Sequence, residues 1–155
     1  MESAPDFLKN VDKSSFNTEP YVKRVEKPWG FELHLLPDGG PYMMKILHIN
    51  KDCRLSLQAH DAKSETWTVH TGTAGVILED AAGKMQTIEL RPGMGYTSRL
   101  GQRHRLIGIT DCEVFESSTP ELGTTWRFED DYARGDETEA IRQDPNRGWT
   151  GPAQA

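Results

Sequence analysis

The chain has 155 residues, of which 35% are hydrophobic and 27% charged, and its formal net charge is -6. These values are typical of one soluble globular domain, and they argue against nucleic acid as the main partner because phosphate neutralisation needs a basic surface. Two cysteines are too few for a disulfide framework, and neither a signal core nor a membrane-spanning stretch is found, so we expect a cytoplasmic protein.

The first 20 residues are polar and mixed, with prolines at positions 5 and 20. This composition is typical of a segment outside the core, so we expect residues 1–20 to form a flexible or docking N-terminal arm. The apolar side chains of Phe7, Leu8 and Phe16 could then dock on a partner subunit.

Short strand-like runs follow one another from about residue 25 to residue 118, without an intervening helical period. Turn residues separate the runs, for example at Pro37–Gly40, Asp80–Gly83 and Arg91–Gly93. Many short strands at this spacing predict an all-β domain, an antiparallel sandwich or barrel, over residues 21–135. The runs are FELHLL, YMMKILHI, RLSLQAH, ETWTVHT, AGVILE, MQTIEL, GYTS, HRLIGIT and CEVFES.

The pattern changes after Pro120, where residues 126–134 mix aromatic and charged side chains densely. Residues 137–142 could make one or two helical turns, and the residues beyond them have the composition of a tail. We therefore predict a C-terminal tail over residues 136–155 that contains a short helical segment.

Four side chains that could bind a metal are the feature of the chain most able to carry chemistry. Side chains alternate along a strand, so Gln58 and His60 share one face if residues 55–60 are extended. A short polar turn then lets Glu65 return beside His60, and His104 is the expected fourth donor. Two imidazoles, a carboxylate and an amide oxygen predict a divalent metal site. Gln58 is the weakest donor, and the alternative is that it hydrogen-bonds a bound water.

The donor set also indicates a type of chemistry. One carboxylate against a dication leaves a net positive centre, which stabilises a developing oxyanion on a sugar or a hydroxy-carbonyl compound. An isomerase would also need a protein base to move a proton between adjacent carbons. The candidates for this base are Lys45 and Glu116, which lie in expected strands.

Arginines could bind a phosphate group of the substrate through forked hydrogen bonds. The candidates are Arg105, Arg127 and Arg134, although Arg105 faces away from His104 and could equally be a surface residue. Trp67 shares a face with Glu65 and is a candidate to line the cavity, the alternative being packing in the barrel.

Residues 25–134 resemble the cupin domain at the C-terminal end of type II mannose-6-phosphate isomerases. The resemblance implies a jelly-roll barrel, the double-stranded β-helix, with one divalent ion (Zn, Mn, Fe or Ni) held by Gln58, His60, Glu65 and His104. It also implies an aldose–ketose isomerase acting on a sugar phosphate. Barrels of this kind often pair, so a homodimer is expected. The matching pieces are, in order, Lys27-Pro28-Trp29-Gly30, Lys45, LSLQAH, Glu65-x-Trp67-x-Val69-x-x-Gly72, Arg91-Pro92-Gly93, His104-Arg105-Leu106 and residues 127–134.

The chain departs from the family pattern around the expected substrate rim, while the metal donors are kept. Several reactions therefore stay open beside isomerisation: the chain could be an epimerase, a lyase or a dioxygenase, or a non-catalytic cupin that binds a small molecule. The departures are Thr66 in place of His, Thr97-Ser98 in place of Ile-Pro, Ser117-Ser118 in place of Val-Gln, Leu122-Gly123-Thr124-Thr125 in place of an acidic stretch, and Ala133 in place of Gly.

Overall fold

The computed structural model describes residues 5–152, of which 42% are in strands and 8% in helices. Within the described residues there are eleven strands, two short α-helices and one 3₁₀ turn. The strands are β1 (Lys23–Lys27), β2 (Gly30–His34), β3 (Met43–Ile49), β4 (Leu57–His60), β5 (Glu65–Thr71), β6 (Ala74–Glu79), β7 (Met85–Leu90), β8 (Tyr96–Ser98), β9 (His104–Gly108), β10 (Cys112–Ser118) and β11 (Thr125–Glu129); the helices are α1 (Asp6–Lys9) and α2 (Glu139–Arg142), and the 3₁₀ turn is Pro145–Gly148.

Two antiparallel sheets face each other. The larger sheet has the order β1-β2-β3-β10-β5-β8, and the smaller sheet has the order β11-β4-β9-β6-β7. Strands far apart in sequence are neighbours in both sheets, because the chain passes repeatedly from one sheet to the other. This arrangement is a jelly roll, and it confirms the all-β cupin barrel that the sequence predicted.

The sequence did not predict two of the strands, β1 and β11, and both lie at the edge of a sheet. β1 reads KRVEK and β11 reads TWRFE, so charged residues interrupt the apolar alternation that identifies a strand. Charged side chains are common on edge strands because they discourage pairing with another chain.

The expected helical turns are found as α2, which Thr138 caps by accepting a hydrogen bond from the backbone N–H of Ile141. None of the helices in residues 5–152 has the length and apolar character needed to cross a bilayer.

One half of the barrel interior is apolar. Strand β10 lies between β3 and β5, and this register places Val114 opposite Leu47 on one side and Val69 on the other. All three side chains are buried, and so are Val76 and Leu106 from the smaller sheet. These residues form the hydrophobic core on which the fold depends.

The other half of the interior is charged. Two residues along β10 from Val114, Glu116 lies opposite Lys45 and beside Trp67. A buried charge is costly unless opposite charges surround it, and carboxylates and cations accordingly alternate in this half of the barrel. Its buried ionic side chains are Lys27, Glu32, Lys45, Lys63, Glu65, Glu116, Glu121, Arg127, Glu137 and Arg147.

The segment after β11 closes the charged half. Glu137 pairs through its backbone with Thr125 in both directions, at 2.9 and 3.0 Å. Arg147 inserts its guanidinium group between Glu121 and Glu137, although residues 136–155 have the composition of a tail. Asn146 anchors this turn by accepting a hydrogen bond from the backbone N–H of Glu26 at 2.9 Å.

The buried ion pairs make the stability of the fold depend on pH. Burial raises the pKa of Glu137, but the charges of Lys27 and Arg147 outweigh it and lower that pKa to about 2. A folded-state pKa below the unfolded value means that the stabilisation is complete above about pH 4.5 and is lost as the pH falls towards 2. We expect the denaturation midpoint in urea to fall steeply between pH 4.5 and pH 2.

The variant Glu137→Gln should lose about 3 kcal/mol of unfolding free energy at pH 7 and show a flatter profile below pH 4.5. The matched control is Glu89→Gln, which removes an exposed carboxylate from β7 and should change the unfolding free energy by less than about 0.5 kcal/mol. Equal profiles for Glu137→Gln and the unmodified protein would contradict the role of this ion pair.

Candidate metal centre

His60 and Glu65 meet across a tight turn between β4 and β5. His60 ends β4 and Glu65 begins β5, and the distance from His60 Nε2 to Glu65 Oε1 is 2.9 Å. Asp61 holds the intervening turn in place, since its carboxylate accepts hydrogen bonds from the Thr124 backbone N–H at 2.8 Å and from the indole of Trp126 at 3.0 Å. The turn places Glu65 beside His60, as predicted, but the two strands form no hairpin: β4 belongs to the smaller sheet and β5 to the larger.

His104 reaches the same carboxylate oxygen from the neighbouring strand. It is the first residue of β9, and β9 pairs with β4 so that His104 lies opposite Gln58. Its Nε2 is also 2.9 Å from Glu65 Oε1, and one ligand atom from each of His60, Glu65 and His104 lies within 4.8 Å of the others. All three residues are at most 3% exposed, so the structure brings the donors into one buried cluster.

Both imidazole rings are oriented by contacts on the side away from Glu65. His104 Nδ1 lies 2.9 Å from the carbonyl oxygen of Gln102 and donates a hydrogen bond to it. His60 Nδ1 lies 3.1 Å from the hydroxyl of Thr125. Backbone and hydroxyl partners of this kind commonly hold metal-binding histidines in position.

Electrostatics prepare the two kinds of donor in the forms that bind a cation. Burial, with the nearby charge of Lys63, lowers the pKa of His60 to about 4. Burial works in the opposite direction on Glu65, but Lys63 and His60 hold the pKa of this carboxyl well below its usual range. At neutral pH the site therefore combines a neutral imidazole with an ionised carboxylate, and this chemistry fits a divalent ion.

Gln58 lies at the edge of the cluster. Its amide nitrogen is 3.5 Å from His104 Nε2, and its amide oxygen accepts a hydrogen bond from Ser56 at 2.7 Å. Exchanging the two amide atoms would turn the oxygen towards the imidazole, because oxygen and nitrogen are placed from their hydrogen-bond partners. Direct ligation by Gln58 and binding of a water by Gln58 both remain predictions.

Lys63 is a part of the site that the sequence analysis missed. Its ammonium group binds Glu65 Oε2 at 2.7 Å and lies 3.6 Å from Glu116 and 3.7 Å from Glu121. The second carboxylate oxygen of Glu65 is thereby occupied, so Oε1 is left to face the two histidines. In the sequence Lys63 is an ordinary polar residue in a turn, and nothing in the pattern signals that it is buried.

The two candidates for the base occupy different environments. Lys45 is held by Glu121 and lies 3.4 Å from Glu32 and 3.9 Å from Glu116. Burial and the charge of Glu65 raise the pKa of Glu116 to about 7, and Glu116 Oε1 is buried without a hydrogen-bond partner among the described residues. Glu116 is therefore the group better suited to accept a proton near neutral pH.

A cavity of about 40 Å³, the central cavity, lies beside the metal donors. Gln58 and His60 form its wall on the metal side. The candidate base Glu116 and the substrate candidates Arg127 and Arg134 also line it. Arg127 donates hydrogen bonds to Ser56 at 3.3 Å and to Glu137 at 3.2 Å, and Arg134 forms an ion pair with Asp130 at 2.6 Å.

The other two substrate candidates do not line the central cavity. The guanidinium group of Arg105 donates hydrogen bonds to the side chain and the carbonyl oxygen of Glu129, at 3.2 and 3.1 Å. Trp67 is buried with its ring 5.0 Å from that of His104, centroid to centroid. Trp67 thus supports a metal donor, and a contact of either residue with substrate remains a prediction.

The structure shows the surroundings of two residues that depart from the family pattern, Thr66 and Ala133. Thr66, which follows Glu65, points away from the donor cluster and its hydroxyl lies 2.8 Å from that of Thr97. Ala133 has a φ of 56°, a left-handed conformation that glycine adopts more readily than alanine.

Three comparisons describe what the chain resembles. The alginate biosynthesis protein AlgA of Pseudomonas aeruginosa is 28% identical over 139 residues, which cover 86% of this chain and 28% of AlgA. An oxalate decarboxylase of Bacillus subtilis with Mn(II) centres matches 86% of this chain and 36% of its own at 12% identity and a TM-score of 0.59. KdgF of Halomonas sp. matches 68% of this chain and 93% of its own at 17% identity and a TM-score of 0.53.

The structural matches show the cupin fold. The chain spans less than a third of the length of AlgA. A family model described as the C-terminal domain of mannose-6-phosphate isomerase matches residues 15–111, more than half of the chain. This chain, a cupin with two histidines and a glutamate converging inside its barrel, therefore belongs to the mannose-6-phosphate isomerase C-terminal family.

Proposed function

We propose that this protein is a metal-dependent cupin enzyme that acts on a sugar phosphate, as an aldose–ketose isomerase of the mannose-6-phosphate isomerase type. Membership of the family supports the link to sugar chemistry, and so does the similarity to a protein of alginate biosynthesis. The observation that carries the proposal is the position of the central cavity, which lies between the donor cluster and a wall rich in cationic side chains.

The charge of this wall favours an anionic substrate. Six cationic side chains and three carboxylates line the central cavity, while Glu65, Glu121 and Asp130 pair with some of these cations without lining it. A divalent ion beside the cavity would add positive charge that these carboxylates do not balance. A phosphate dianion would compensate this added charge, whereas a neutral sugar would not. The cationic side chains are Lys27, Lys45, Lys63, Arg127, Arg134 and Arg147, and the carboxylates are Glu32, Glu116 and Glu137.

In the proposed isomerisation, different residues of the chain would bind the metal and transfer the proton. His60, Glu65 and His104 would hold a divalent ion, which would polarise the carbonyl and hydroxyl oxygens of the substrate. Glu116 would take the proton from one substrate carbon at a carboxylate oxygen and return it to the adjacent carbon. Its pKa of about 7 allows it to accept and release this proton near neutrality. Lys45 lies 3.9 Å from Glu116 and would modulate its charge.

Metal content tests the ligand assignment. We expect His60→Ala and His104→Ala to bind at least tenfold less divalent metal than the unmodified protein, because each loses one of three strong donors. Elemental analysis after dialysis measures this directly, and circular dichroism checks that the barrel remains folded. The matched control is His70→Ala on β5, whose ring stacks on Phe115 away from the donor cluster and whose loss should leave metal content unchanged. Full retention of metal in both site variants would overturn the assignment.

Activity with a redox-inert ion tests the reaction type. We expect the zinc-loaded protein to interconvert an aldose phosphate and the matching ketose phosphate without consuming oxygen. Replacing the base by Glu116→Gln should lower kcat by about 10²- to 10⁴-fold with metal content unchanged. Glu113→Gln, on the same strand with its side chain on the outer face, is the control and should keep kcat within twofold. Activity only with ferrous ion and oxygen would favour a dioxygenase instead.

A homodimer is also part of the proposal. The N-terminal arm carries large apolar side chains that are exposed, since Phe7 is 69% exposed, Phe16 67% and Leu8 46%. Exposed apolar groups in one short segment favour burial against another surface, and a second copy of the chain would supply one. Sedimentation should give twice the mass of one chain, and removal of residues 1–20 should shift the protein towards monomer. A monomeric full-length protein at micromolar concentration would rule the dimer out.

A further inference from the structure

Lys27 differs from the other cations in the wall of the central cavity. Its side chain is 4% exposed, yet its ammonium group lies 3.8 Å from Glu32 and 3.7 Å from Glu137, beyond hydrogen-bond distance. The structure records no hydrogen bond from Lys27 Nζ to any residue between 5 and 152. Lys45 instead donates a hydrogen bond to Glu121, and Lys63 forms a closer ion pair with Glu65, at 2.7 Å.

The ammonium group of Lys27 has room for closer acceptors than Glu32 and Glu137. An ammonium group offers three donors, and those of Lys27 border two cavities with no carboxylate of the described residues closer than 3.7 Å. Burial accordingly lowers the pKa of Lys27 although Glu32 and Glu137 act in the opposite direction. An oxygen-rich anion placed against Lys27 would supply the missing acceptors.

Lys27 also occupies a particular position, the boundary between two spaces. On one side is the central cavity, and on the other is a pocket of about 410 Å³, here called the outer pocket. The boundary consists of the four cationic residues that line both spaces: Lys27, Arg127, Arg134 and Arg147. Two carboxylates, Asp136 and Asp144, also line the outer pocket, and Tyr132 and Trp149 contribute aromatic rings.

The size of the central cavity indicates how a ligand would lie. A volume of about 40 Å³ holds roughly three water molecules, which is less than a sugar phosphate requires. A ligand that reaches the metal donors would therefore extend across the boundary into the outer pocket. Its anionic group would then lie near Lys27.

We propose that Lys27 binds the phosphate group of the ligand at the boundary between the central cavity and the outer pocket. The three arginines of the boundary complete an anion subsite, in which Lys27 contributes donors that no carboxylate in the described part of the chain approaches more closely than 3.7 Å. The proposal rests on the sugar-phosphate function proposed above, and it adds the residue that selects phosphorylated over unphosphorylated ligands.

Binding of inorganic phosphate tests this subsite without requiring turnover. Titration calorimetry on chelator-treated protein excludes binding of phosphate to a metal ion. We expect Lys27→Met to weaken phosphate binding at least tenfold, roughly the effect of losing one charged hydrogen bond. The control Lys23→Met removes the same charge from the same strand, at an exposed position paired with Asp38, and should keep the affinity within twofold. Equal affinities for Lys27→Met and the unmodified protein would overturn the proposal.

A second measurement on the unmodified protein remains decisive if Lys27→Met does not fold. A crystal soaked in selenate should show an anomalous peak beside Lys27 Nζ, and selenate bound only at other positions would refute the subsite. The two proposals can fail separately. Loss of phosphate binding in Lys27→Met without isomerase activity in the unmodified protein would retain the subsite and reject the function. Isomerase activity in the unmodified protein together with unchanged phosphate binding in Lys27→Met would retain the function and reject the subsite.

Discussion

Charge compensation inside the barrel is the constraint on which the rest of this structure depends. Half of the interior is filled by ionic side chains, and an isolated buried charge costs several kcal/mol. Each carboxylate is therefore placed among cations that come from distant parts of the chain: Glu121 lies against both Lys45 and Arg147, and Glu137 against Lys27, Arg127 and Arg147. The C-terminal segment is needed for this balance, because it supplies Glu137 and Arg147.

The same balance prepares the candidate metal centre. Lys63 engages one oxygen of Glu65, and the other oxygen faces His60 and His104 at equal distances of 2.9 Å. The candidate metal centre therefore lies next to the buried ion pairs of the barrel. The charges of Glu65, Lys63 and Lys45 in these pairs also shift the pKa of Glu116. Under the proposed function, metal binding, proton transfer and anion recognition would all take place within one continuous set of buried charges.

Sequence reasoning identified the fold and part of the site, and its omissions have physical causes. The central strands can be predicted because their apolar alternation reflects one buried face and one more exposed face, as in β3 and β10. β1 and β11 are edge strands in which charged residues break that pattern. Lys63, Glu121, Glu137 and Arg147 were missed for a different reason: charged residues in turns and near chain ends are usually solvated. Arg105 is not the surface residue that the sequence left as an alternative, since it is 3% exposed and pairs with Glu129.

The sequence by itself determined the relations that follow from local backbone geometry. Alternation along β4 and a four-residue turn predict that Glu65 lies near His60, because side-chain direction in a strand has a period of two. That this turn leads from the smaller sheet to the larger one was not predicted. Only the tertiary structure decided which distant groups join them. His104 arrives through the pairing of β9 with β4, and Arg147 reaches Glu137 through the fold of the C-terminal segment. Sheet order and register arise from packing over the whole domain, so neighbours across strands cannot be obtained from local periodicity.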